Sequence, residues 1–134
     1  MSSDQDVFNV LGFAWDRSQF VCAQDIEVSS RQRVIARFSR MLSEYVWDAG
    51  VLEGNPYTLP EVQTVIDGIT VGGHRLSDHE QIVNLVRSTR LLTRMVQDGS
   101  FVYSKAVACQ LHAAVARNEA LEWGVFRGEG SELT

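Results

Sequence analysis

The stretch Leu52-Glu53-Gly54-Asn55-Pro56-Tyr57-Thr58-Leu59-Pro60-Glu61-Val62 constrains the fold most, because it must end one helix and begin another within a few residues. Gly54 and Asn55 are the residue types that best tolerate left-handed or turn geometry. Pro56 then bars the chain from continuing as a helix. A new start follows at once: Thr58 is a good N-cap, Pro60 falls in the first turn, and Glu61 stands at the capping-box spacing from Thr58. Glu53 is therefore expected at the end of one helix, beside the chain reversal that opens the next. On local physics alone this is a helix-turn-helix corner with a solvated carboxylate.

The flanking segments extend the pattern. Ser29 or Ser30 caps a long helix in which Val34, Phe38, Met41, Leu42, Tyr45 and Val46 recur at three- and four-residue spacing. Arg31, Arg33, Arg37 and Arg40 cluster near its start and read as a solvated face. The helix from Leu59 carries Val62, Val65 and Ile66 on one stripe and stops at Asp67-Gly68. Ile69-Thr70-Val71 is a short β-branched run, and Gly72-Gly73 offers a two-residue hairpin turn before His74. Ser77 and Glu80 suggest a second capping box opening the clearest helix, which carries Ile82, Val83, Leu85, Val86, Leu91, Leu92, Met95 and Val96 and ends at Gly99. A last helix, residues 104–118, turns Val107, Ala108, Leu111, Ala114 and Val115 inward. The expected class is mostly α, a helical bundle with one small β-hairpin.

At 134 residues, with 45% hydrophobic and 22% charged side chains, the chain reads as one soluble globular domain. Residues 1–28 form an N-terminal extension whose Val7, Leu11, Phe13, Trp15, Phe20, Val21 and Cys22 are too apolar for a free tail, so a packed segment with a short helix or strand is expected. A net charge of −5 argues against a nucleic-acid binder, which needs a dense basic face. No apolar run approaches the ~20 residues of a membrane span. The acidic N-terminus lacks the basic flank of a signal peptide. Cys22 and Cys109 form no CxxC pattern, so reduced thiols in a cytoplasmic protein are the expectation.

Few residues invite catalytic or metal chemistry. His74 and His79 straddle a helix start and do not project from one face as zinc ligands would, so no metal site is expected. His112 reads as a packed or capping histidine. No P-loop, dinucleotide fingerprint or nucleophile elbow occurs. Cys109 lies among Ala and Val and reads as a small core residue.

Taken in order, Glu-Gly-Asn-x-x-Thr-Leu-x-Glu-Val from Glu53, Asp67-Gly68-Ile69-Thr70-Val71-Gly72-Gly73-His74, and Asp78-His79-Glu80-x-x-x-Asn84 resemble the front half of a Fic (filamentation induced by cAMP) domain. The likeness is to members with an inhibitory helix N-terminal to the catalytic core, and it spans residues 46–127. It implies a partial Fic-like helical bundle, with residues 29–55 as the inhibitory-helix region and 56–134 as the N-terminal part of the domain. Glu53 and Gly54 would be the inhibitory pair, the glutamate engaging the second arginine of the family signature. Ala49 stands where the family carries Ser or Thr, so the hydroxyl that often steadies the helix is absent. Ile69, Thr70, Val71, Gly72, Gly73 and His74 would be the flap that aligns a target protein by strand-like pairing. Leu111-His112 resembles a structural Leu-His pair of the family.

The family signature His-x-Phe-x-x-Gly-Asn-Gly-Arg-x-x-Arg occurs nowhere in the 134 residues. The resemblance therefore implies the autoinhibitory and target-docking portion of a protein adenylyltransferase, with no catalytic residue of its own and inactive alone. ATP with Mg²⁺ would serve the complete domain. From the residues alone, a free-standing helical regulatory module that binds or inhibits a separate partner protein is the alternative.

Overall fold

The computed structural model describes residues 4–14 and 27–130. The chain divides into two compact units, Met1–Ser30 and Arg31–Thr134. In the first, α1 spans Asp4–Leu11 and ends at Gly12, whose φ of +74° and amide bond to the Phe8 carbonyl close the last turn. The short helix of the N-terminal extension is present, but Phe8, Val10 and Phe13 are exposed rather than packed. Trp15, Phe20, Val21 and Cys22 lie outside the described residues.

The second unit holds α2 (Arg31–Arg40), α3 (Leu42–Leu52), α4 (Leu59–Ile66), α5 (Leu76–Asp98) and α6 (Lys105–Val115). The single long helix expected from Ser29 or Ser30 is divided at Met41, whose amide is shared between the carbonyls of Arg37 and Phe38. Its apolar stripe is covered only in part. No α2 residue is buried and Val34 is 53% exposed, because α2 precedes the point where α3, α4 and α5 converge. The four arginines of α2 are solvated, as the charge pattern suggests.

Val46 of α3, Tyr57 of the corner, Val62 of α4, and Ile82 and Val86 of α5 form the buried core, flanked by Leu42, Trp47, Val65, Ile66, Val71 and Leu85. Each such aliphatic side chain stabilises the fold by about 1.5–3 kcal/mol on burial. Gly50 permits the closeness of α3 to α5: a Cβ there would lie 3.2 Å from Ile82 Cδ1. Asn84, buried, donates to the Arg117 carbonyl at 2.7 Å and so ties α5 to the segment after α6.

Most helix ends follow the local chemistry. Glu61 caps α4 from its third position, accepting from the Thr58 amide at 2.8 Å and the Thr58 hydroxyl at 2.9 Å. The α4 C-terminus is a Schellman motif, with Gly68 bonded to the Val65 carbonyl and Ile69 to the Thr64 carbonyl. Arg90 satisfies the Ile66 carbonyl from α5. Ser104 caps α6 through the Val107 amide. That helix stops at Val115, before Asn118, which has turned to a φ of +63°. Ala108 faces solvent instead of turning inward.

Two expectations are corrected. The Ser77/Glu80 capping box does not form: α5 begins one residue before Ser77, with Arg75 as its N-cap. Tertiary contacts made by Asp78 and His79 set this start, and they outweigh a local cap. Among the described residues there is also no β-strand. Residues 69–74 cross from α4 to α5 as irregular backbone. A type I′ hairpin turn needs positive φ at both central residues, but only Gly73 (φ +85°) has it and Gly72 does not. The arms are too short to be stable as an isolated ribbon. Val71 instead packs against the core, and His74 turns toward α4.

Candidate functional site

Glu53 is the C-cap of α3, and its backbone position is fixed by the turn that follows. Its amide bonds to the carbonyls of Ala49 (3.2 Å) and Gly50 (3.1 Å). The Gly54 amide bonds to Val51 O at 3.0 Å and the Asn55 amide to Gly50 O at 2.8 Å, a complete Schellman motif. Gly54 supplies the left-handed residue at φ +76°. Asn55 is buried and fully engaged. Its Nδ2 donates to Asp78 O (2.9 Å) and Gln81 Oε1 (2.8 Å), and its Oδ1 accepts from the Tyr57 amide at 3.0 Å. The Asn55 side chain thus ties the corner to the start of α5.

The Glu53 side chain is exposed and borders a depression of about 310 Å³ between α3, α5 and the end of α6. Its lining is mostly apolar, with Ala49, Leu52, Leu85, Val115 and Ala116, joined by Gln81 and Glu119. Glu119 accepts from Gln81 Nε2 at 3.0 Å. Among the described residues no cation pairs with Glu53. A carboxylate so placed is free to accept from an incoming guanidinium or ammonium group.

A second group of side chains gathers around Tyr57, which is 3% exposed. Its ring stacks on His74, centroids 4.0 Å apart, and its hydroxyl lies 2.9 Å from His79 Nδ1. His74 Nε2 lies 2.9 Å from Glu61 Oε1. Burial raises the Tyr57 pKa, and the nearby negative charges of Glu61 and Asp78 push it the same way. Glu61 is driven from the ordinary 4.5 down to about 2, first by the Thr58 amide, then by His74 and the Thr58 hydroxyl. A carboxylate lowered in the folded state stabilises the fold above its unfolded pKa and loses that contribution as pH falls through the folded one. The melting advantage of the native chain over Glu61→Gln is therefore expected to be full above pH 4.5 and to vanish toward pH 2. Parallel melting curves for the two proteins across that window would contradict the capping role.

The positions expected from sequence fall into two groups. Glu53 and Gly54 sit together at the corner. Of residues 69–74, Ile69, Thr70, Gly72 and Gly73 are exposed, while Val71 and His74 are partly covered. The structure does not place this segment against the Glu53 depression, whose lining contains none of it. It joins His74 to Tyr57 and His79, a grouping that sequence spacing does not show, since a ring contact across an irregular connection has no periodicity. His112 accepts from the Gly124 amide at 2.9 Å, a packing role as expected. Cys109 is a half-buried free thiol. Among the described residues no group of three His, Cys, Asp or Glu side chains is placed to hold a metal ion, and no helix is long and apolar enough to cross a membrane. Comparison with protein-family models, curated proteins and solved structures gives no match to the chain.

Proposed function

We propose that this chain is the autoinhibitory and target-docking portion of a Fic-type protein adenylyltransferase, the class that moves AMP from ATP to a hydroxyl of a target protein. The observation that carries the reading is Glu53: a carboxylate with no ion-pair partner among the described residues, on a helix end closed by backbone bonds, beside a mostly apolar depression, within the ordered series of motifs that resembles the family. A carboxylate bonded to a phosphate-binding arginine removes the cation that would hold the γ-phosphate and repels phosphate oxygens at close range. The Schellman turn supports this role, because it fixes where the acid starts before any partner arrives.

Residues 69–74 supply the docking surface in this reading. They are a largely exposed, irregular connection, tied at Ile69 by its amide on the Thr64 carbonyl, which in this reading pairs with an extended target segment and becomes strand-like only when so paired. In this reading ATP and Mg²⁺ would serve the complete domain: the histidine base, the Gly-Asn-Gly anion loop and the arginines belong to the signature that this sequence does not contain. A base and an anion cradle are what the transfer requires.

Incubated with labelled ATP and a cell lysate, the 134-residue chain is expected to label neither itself nor any lysate protein. A labelled product that depends on this chain would overturn the division of labour proposed here.

A further inference from the structure

We infer that His74 is a positioning residue for Glu53, acting through Tyr57 and Asn55, so that whatever draws the 69–74 connection away from the body also loosens the corner that holds the acid. The contacts run without a gap. His74 stacks on the Tyr57 ring at 4.0 Å. The Tyr57 amide is held by Asn55 Oδ1 at 3.0 Å, and its carbonyl accepts from Trp47 Nε1 at 3.1 Å. Asn55 in turn closes the Schellman turn on which Glu53 sits, through its own amide on Gly50 O at 2.8 Å. Only three residues separate Glu53 from Tyr57, so a shift of the tyrosine is felt at the acid.

The connection has few other fastenings. Val71 rests on the core and His74 reaches Glu61 at 2.9 Å, while Ile69, Thr70, Gly72 and Gly73 are exposed. A segment pairing with this backbone pulls first on His74. The ring that it abandons keeps its packing in the core and its hydroxyl on His79, but loses the stacked cover on one face. Docking and release of the acid then become one event: the target frees the arginine that Glu53 withholds. This consequence rests on the reading of Glu53 and residues 69–74 proposed above, whereas the coupling itself is a property of the folded chain and can be measured without any transfer assay.

The test compares His74→Ala, His74→Gln and His74→Phe by amide hydrogen exchange and amide chemical shifts. An aromatic contact contributes enough that its loss is expected to speed exchange of the Glu53, Gly54, Asn55 and Tyr57 amides about tenfold. That acceleration is expected in His74→Ala and His74→Gln, measured against α5 residues 84–94 as an internal reference. His74→Phe loses the bond to Glu61 but keeps the ring on Tyr57, and its corner amides are expected to stay close to the native rates. A purely structural role would instead move all three variants, and the α5 reference with them. Uniform acceleration, an unchanged corner in His74→Ala, or a corner loosened equally in His74→Phe would each overturn the coupling. A coupling seen here with no activity gain on removing Glu53 from a longer chain would instead fault the functional reading and leave the coupling standing.

Discussion

Replacing Glu53 by Gly is expected to have opposite consequences in two settings. In the 134-residue chain it should leave the fold almost untouched. The carboxylate is exposed and has no partner among the described residues, and the turn is closed by backbone amides that the substitution keeps. The cost is no more than about 1 kcal/mol, the penalty for Gly near a helix end. In a chain extended to carry the signature, the same change should free the arginine and admit the γ-phosphate. A hydrogen bond between charged groups stabilises by about 1.5–3 kcal/mol, so transfer of labelled AMP should rise by about tenfold or more. Unfolding of the short chain on substitution would make Glu53 a structural residue. An unchanged transfer rate in the extended chain would remove the inhibitory assignment.

Asn55→Ala is expected to be the more damaging change to the fold, although it alters an uncharged residue two positions away. The side chain is 8% exposed and makes three hydrogen bonds, to the Asp78 carbonyl, to Gln81 and from the Tyr57 amide. Its loss strands the Tyr57 N–H in the core and opens the tie between the corner and α5. Leaving buried groups unsatisfied costs about 2–3 kcal/mol in this setting. For a unit of this size that is a fall in Tm of roughly 10 °C. Asn55→Asp should fall between the two, since it can still accept from Tyr57 but has no N–H for Asp78 and Gln81. A melt of Asn55→Ala within about 2 °C of the native protein would contradict the structural role assigned to this side chain.

The corner was legible in the sequence because its chemistry is local. Gly54 and Asn55 offered the left-handed or turn geometry, which Gly54 takes; Pro56 stops the helix and Glu61 caps from the third position, as expected. Gly68 and Gly99 likewise mark helix ends through positive φ. The misplaced features are those decided by contacts distant in sequence. Ser77 has cap chemistry, but Asn55 and Tyr57 seize Asp78 and His79 and set the start of α5 instead. Gly72-Gly73 has turn chemistry, but Val71 and His74 find partners on the body and no ladder forms. The α2 stripe has helical spacing, yet it is covered only in part, because periodicity shows which face is apolar and not what lies opposite. The Tyr57 group escaped for the same reason: its members lie on three segments, joined only by the fold.

In the proposed function Glu53 withholds an arginine of the family signature, which the 134 residues do not contain. The measurement that addresses this most directly is the coding sequence beyond the Thr134 codon. An in-frame His-x-Phe-x-x-Gly-Asn-Gly-Arg-x-x-Arg is the predicted result, and it would put the missing base, anion loop and arginines in the same polypeptide as the corner. A stop codon with no such motif nearby would contradict it, and would leave Glu53 as the exposed acid of a helical interaction module.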